Sequence, residues 1–174
     1  MTATRWIVIT GSPCSGKTTV VKEMKRRGFK CAPEAARLYI DSQLANGLTI
    51  AQMRKDEMLF QRSLLLLKSS IEQALNPNEV VFMDRAMPDS MSYFRLKGFD
   101  PSEIVQLSGS FRYDRVFLFD RLPLEKDGAR VEDERAAAFL DKQLEADYRS
   151  LGYNVERVPA MSVEDRVAML LSEI

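Results

Sequence analysis

Residues 11–18 read Gly-Ser-Pro-Cys-Ser-Gly-Lys-Thr. Two glycines, a lysine and a hydroxyl at this spacing suit one task, the holding of a polyphosphate. Gly11 and Gly16 allow a tight turn in which successive backbone N–H groups point inward at an anion. A helix beginning just behind them adds partial positive charge. Lys17 would reach the β- and γ-phosphates, and the Thr18 hydroxyl would bind Mg²⁺. Ser12, Pro13, Cys14, Ser15 and Thr19 complete the binding segment over 11–19.

Four further groups could share that chemistry. Val80-Val81-Phe82-Met83-Asp84 ends a buried-type strand on a carboxylate. That is where an open α/β sheet binds ligands, and Asp84 would hold Mg²⁺ through water. The alternative is a carboxylate that caps the next helix. The following residue is Arg85 rather than a water-activating glutamate, and an arginine suits a second anion. This favours transfer to an acceptor over simple hydrolysis. Pro33-Glu34-Ala35-Ala36-Arg37 follows a short strand. Glu34 could take a proton from an attacking hydroxyl, with Arg37 one helical turn on as its partner. Equally, Glu34 could be an acid in a helix's first turn. Asp89 and Tyr93, one turn apart, could meet an acceptor's hydroxyls and ring. The charged stretch Arg121 to Arg135 reads as a lid. Lys126, Arg130 and Arg135 could neutralise phosphate charge there, with Arg130 the first choice because it lies close to the Asp127-Gly128 turn.

The elements that must position these groups alternate. The pattern predicts strands over 5–10, 29–32, 79–83, 115–119 and 154–158. Helices are expected over 17–27, from 33 to about 47, 50–75, 88–97, a short one after Asp100, 134–151 and one capped by Ser162. Thr49-Ile-Ala-Gln52 is a capping box for the longest of them. The stripe Met53, Phe60, Leu64, Leu67, Ile71 and Ala74 marks a face that packs onto the sheet or a neighbouring helix, with a dimer coiled coil as the alternative. Continuous apolar strands alternating with helices predict a parallel sheet covered on both faces.

Composition narrows the function. The chain of 174 residues suits one domain, 1–174, with a sizeable core. Lys+Arg and Asp+Glu are both 25, and this balance gives no support to a general nucleic-acid binder. No apolar run approaches the roughly 20 residues of a membrane span. The start lacks a signal-peptide core, so a cytoplasmic protein is expected. Histidine is absent, which removes Ser-His and Cys-His catalysis and leaves acid–base work to Asp, Glu, Lys or Tyr. Cys14 and Cys31 form neither a metal pattern nor a disulfide framework.

The motifs together resemble a known family. The octet, Pro33-Glu-Ala-Ala-Arg37, Phe82-Met-Asp-Arg-Ala-Met-Pro-Asp89 with Tyr93, Lys126-Asp-Gly-Ala-Arg-Val-Glu132, Leu151-Gly-Tyr153 and Val158-Pro159 occur in order along nearly the whole chain. They look like the small AAA-type P-loop family of predicted ATPases and kinases. That family includes the nicotinamide riboside kinase domain of a bifunctional NAD-biosynthesis regulator. The resemblance implies a three-layer, nucleoside-kinase-like α/β fold with a five-stranded parallel sheet in the order 2-3-1-4-5. It implies ATP and Mg²⁺ at Gly11–Thr19 and Asp84. It also supports Glu34, which matches the position of the base in related deoxynucleoside kinases.

The expected function is ATP-dependent phosphoryl transfer to a small hydroxylated metabolite, nucleoside- or nucleotide-like. Lys17, Glu34, Arg85 and Arg130 are the expected catalytic residues. Arg37, Asp89 and Tyr93 would meet the acceptor. Two alternatives are an ATPase switch coupled to a protein partner and a polynucleotide end kinase, which a basic groove beside the loop would favour.

Overall fold

The structure, a computed structural model, describes residues 1–122 and 134–173. Its elements in chain order are β1 Thr2–Ala3, β2 Trp6–Thr10, α1 Lys17–Arg26, β3 Lys30–Ala32, α2 Ala35–Ala45, α3 Ile50–Met53, α4 Glu57–Ala74, β4 Val81–Asp84, α5 Asp89–Leu96, α6 Ser102–Leu107, β5 Phe111–Arg112, β6 Arg115–Phe119, α7 Glu134–Ser150, β7 Val155–Val158 and α8 Val163–Ser172.

Five of the strands form one parallel sheet in the order β3-β4-β2-β6-β7. Counted within that sheet the order is 2-3-1-4-5, as expected. β2 is central and every residue in it is buried. Its alternating side chains feed two cores. Trp6 and Val8 join Val116, Leu118, Leu140 and Tyr148 on one face. Ile7 and Ile9 join Val20, Met24, Val167 and Leu170 on the other, where α1 and α8 cover the sheet. Burial on both faces explains why the strands read as continuous apolar runs.

Two expectations are corrected. The helix foreseen over 50–75 is two helices. Thr49 does make the capping box with Gln52, but it starts only the single turn of α3. Asp56 then caps a new helix by accepting from the Leu59 N–H at 2.9 Å. An Asp cap competes well with helix continuation because its short side chain reaches the orphan N–H groups. The second correction is the small parallel pair β1–β5, which pairs Thr2 with Phe111. Two-residue strands leave no periodicity to read. The stripe on α4 packs inward, with Phe60 and Leu64 buried.

Candidate active site

The site is built at the C-terminal ends of β2, β3 and β4. The 11–18 loop leaves β2 and turns into α1 as the spacing requires. Gly11 has φ +145°, and a Cβ there would lie 2.7 Å from the Phe119 carbonyl oxygen and 2.8 Å from Ser15 Oγ. Gly16 is the N-cap of α1 in the left-handed region, with no side-chain cap and no acid in the first turn. The helix N-terminus is therefore left to a ligand. Cys14, at φ 62°, also holds a left-handed conformation that an L side chain rarely adopts.

Lys17 is buried and folds back over the loop. Its Nζ donates to the Ser12 carbonyl at 2.9 Å and to Ser15 Oγ at 3.0 Å. Burial, then the neighbouring Arg85, pushes its pKa down to about 7 against the partial opposition of Asp84, Glu34 and Asp89. A lysine so placed gains most from an arriving anion. Thr18, in the first turn of α1, donates to Asp84 Oδ2 at 3.0 Å. Asp84 Oδ1 is buried with no hydrogen-bond partner. Burial and then Glu34 push this carboxyl upward. Asp84 caps no helix, which sets aside the alternative for it.

Glu34 is the N-cap residue of α2, yet its side chain makes no capping bond. It accepts instead from Arg85 Nε at 3.1 Å. Glu34 thus stands at the N-terminus of α2, where the helix dipole favours an acid, while its carboxylate is directed to Arg85. The expected Glu34–Arg37 pairing does not form. Arg37 points outward and pairs with Asp41 at 2.9 Å.

Arg85 is the hinge of the site. Its backbone is left-handed, at φ 68°, and its N–H donates to the Ile9 carbonyl at 3.1 Å. For a non-glycine residue this conformation costs on the order of 1–3 kcal/mol and persists only where the surroundings fix it. Here they do. The guanidinium pairs with Glu34 and, at 3.0 Å, with Asp89. It also lies over the Tyr93 ring, 5.3 Å from the centroid. Asp89 differs from its expected role. It is fully buried and accepts from Thr10 Oγ1, Arg85, the Ala86 N–H and the Tyr148 hydroxyl. It does not face an acceptor; it anchors Arg85.

Lys17, Thr18, Glu34, Arg85 and Tyr93 share one cavity of about 290 Å³. Pro13, Cys14, Lys17 and Thr18 form one end of its wall, Glu34 and Arg85 stand beside them, and Tyr93 closes it from α5. Arg54, Phe60, Gln61, Leu64 and Lys68 complete it from α3–α4. A second cavity of about 500 Å³ lies between α1 and α2; it shares Thr18 and Glu34 with the first and is also lined by Asp84. Lys22, Lys25 and Arg37 line it, so Arg37 belongs to this side. Arg130 and Lys126 lie outside the described residues, and Arg135 is exposed at the start of α7.

Two residues that matter here were not foreseen. Arg166 on α8 is buried, and its guanidinium donates to the carbonyls of Ser15, Pro159 (3.0 Å) and Asp120 (3.2 Å). It also lies over the Phe119 ring. It thus ties the phosphate loop to the ends of β6 and β7. Lys68 on α4 borders the main cavity. A lone basic residue in an amphipathic helix gives no sequence signal that it points inward.

Residues 6–166 match a family described as an AAA domain. The chain belongs to this family. No curated protein matches it in sequence. Among solved structures it is similar to thymidylate kinase from Ehrlichia chaffeensis, with TM-score 0.69, 14% identity and 99% of each chain covered. It is similar to deoxyadenosine kinase from M. mycoides with dCMP and dCDP, at 0.64, 16% and 97% of each chain. A NadR protein in complex with NR gives 0.67 and 18%, covering 97% of this chain and 50% of that one. At these identities the likeness is one of fold. The AAA-domain chain has the nucleoside- and nucleotide-kinase P-loop architecture.

Proposed function

We propose that this AAA-domain protein is a cytoplasmic kinase that transfers the γ-phosphoryl group of ATP to a hydroxyl of a small nucleoside- or nucleotide-like metabolite. The observation that carries this reading is the shared cavity. Lys17, Thr18, Glu34 and Arg85 border it together, and the Glu34 carboxylate is not tied up in capping α2. Beside Glu34 the walls are Phe60, Leu64 and Tyr93, which suits an organic acceptor better than water alone.

The nucleotide's phosphates lie on the backbone N–H groups of 14–18 and at the N-terminus of α1. Lys17 exchanges its bonds to Ser12 and Ser15 for phosphate oxygens and recovers its charge. The acceptor's hydroxyl stands at Glu34. Its oxygen attacks the γ-phosphorus while its proton passes to the Glu34 carboxylate. The β–γ bridging P–O bond breaks, and its electron pair leaves on ADP. Lys17 and Arg85 stabilise the charge spread over the migrating group. Arg130 is the expected lid contribution.

Mg²⁺ fits the residues present. Asp84 Oδ1 is a buried carboxylate oxygen without a partner, next to the Thr18 hydroxyl. Two oxygen donors are what a Mg²⁺ that keeps its waters and binds phosphates asks of a protein. The described residues hold no cluster of three or more acidic, Cys or His ligands. Thr18 and Asp84 would hold the ion, directly and through water, and it would supply charge neutralisation of the phosphates.

A second reading, a polynucleotide end kinase, draws on one observation. Lys22 and Lys25 line the larger cavity beside the loop without an ion pair among the described residues. It requires turnover of 5′-hydroxyl oligonucleotides that falls steeply with salt.

The kinase reading is tested at Glu34. Glu34→Gln should lower kcat roughly 10²–10⁴-fold, with the KM for ATP little changed. An unchanged kcat would remove Glu34 as the base.

A further inference from the structure

Lys68 is half-buried on α4, on the same helical face as Gln61 and Leu64. Its ammonium donates to the Ala86 carbonyl at 3.1 Å and to Ser90 Oγ at 2.7 Å. Both acceptors belong to the segment that follows β4, so the charge is held beside Arg85. Both are neutral. An ammonium has three donors, and the third has no partner among the described residues.

The carboxylates around it are already committed. Asp89 accepts from Thr10, Arg85, Ala86 and Tyr148. Glu34 pairs with Arg85. Glu72 accepts from the Met87 N–H and the Tyr113 hydroxyl. None of them is within ion-pair distance of Lys68. Burial drives the lysine's pKa down, with Asp89 opposing and Arg85 adding to the effect. A cation removed from water is ordinarily paired. Among the described residues no anion is left to pair with Lys68, and its ammonium borders the cavity.

We propose that the acceptor is an anion, and that Lys68 is the residue that selects it by binding a phosphate or carboxylate group on the acceptor while the reacting hydroxyl stands at Glu34. This rests on the kinase reading and narrows its substrate class. Uncharged nucleosides are then poor acceptors, and nucleoside monophosphates are good ones. A terminal phosphate on an oligonucleotide offers the same chemistry.

The test is calorimetric binding to the full chain saturated with Mg²⁺ and a non-hydrolysable ATP analogue. The probes are the common ribo- and deoxyribonucleosides, their 5′-monophosphates, and short oligonucleotides with and without a terminal phosphate. At least one monophosphate should bind about tenfold or more tighter than its nucleoside, the size of one charge-assisted hydrogen bond. Lys68→Met should erase that difference and leave the analogue's affinity unchanged. Lys68→Arg should retain it, which separates lost charge from lost folding. A preference confined to the phosphorylated oligonucleotide would assign the anion to a strand end. Equal binding of nucleoside and monophosphate, no binding of any phosphorylated probe, or a preference that survives in Lys68→Met would each overturn the inference. The kinase reading fails separately: it is lost only if ATP is consumed with no acceptor phosphorylated, whereas phosphorylation of a neutral acceptor would keep it and remove the role of Lys68.

Discussion

Lys17 is held in an unusual electrostatic state. Its folded pKa of about 7 lies well below its ordinary 10.5. Below pH 7 the lysine is charged in both folded and unfolded states, and the full cost of burying the charge is present. As pH rises from 7 towards 10.5 the folded state gives up its proton while the unfolded state keeps it, so that cost fades. Between those limits an arriving polyphosphate restores the charge. Nucleotide binding at pH 8 to 9 should therefore take up close to one proton, seen as a dependence of the calorimetric heat on the buffer's ionisation enthalpy. Lys17→Met should abolish that uptake. Binding without proton uptake would contradict the assigned state of Lys17. The loop residues were legible because the motif is local: glycines, lysine and threonine act through the backbone turn that they themselves form. Asp89 was misread because its partners are set by tertiary neighbours, whereas Arg37 pairs with Asp41 one turn further along its own helix. Asp89 meets Thr10 and Tyr148 from distant elements, and no spacing along the chain reports that.

At the scale of elements, the site depends on how α8 grips the loop. Gly16 brings the start of α1 so close to α8 that an added Cβ would stand 3.1 Å from Arg166 Nη1. The Arg166 guanidinium meets carbonyls of three segments, with no ion pair to a carboxylate among the described residues. Arg166→Met should leave the sheet intact, since its methylenes can still pack on Phe119, but should free the loop. We expect the KM for ATP to rise roughly tenfold or more with a smaller change in kcat, taking each lost bond as about 1 kcal/mol. Unchanged KM would mean that the loop holds its own shape. The order and type of the main strands and helices were readable because buried parallel strands are continuous and apolar. The break between α3 and α4 was not, because Arg54-Lys55-Asp56 keeps a helical composition while the Asp56 carboxylate turns back to cap the next helix. Nor was the contribution of α4 to the cavity legible. Leu64 and Lys68 reach it because the helix axis, not the sequence, decides which face turns inward.

The whole molecule places its chemistry where a doubly covered parallel sheet provides it, at the strand ends on either side of central β2. β2 delivers the phosphate loop, β3 delivers Glu34, and β4 delivers Asp84 and Arg85. Asp89 locks β2 to β4 through Thr10 and Arg85, and α7 joins through Tyr148. The architecture is shared with enzymes whose acceptors differ, so the acceptor has to come from the cavity rather than from the fold. The most direct measurement resolves products rather than ATP loss. Purified protein with Mg²⁺ and ATP carrying a labelled γ-phosphate is incubated alone and with nucleosides, nucleoside monophosphates and oligonucleotides, with Lys17→Ala as control. Label should be transferred to an organic acceptor and be absent from the control. Label found only as inorganic phosphate, at the same rate whether or not an acceptor is present, would contradict this and make the protein an ATPase.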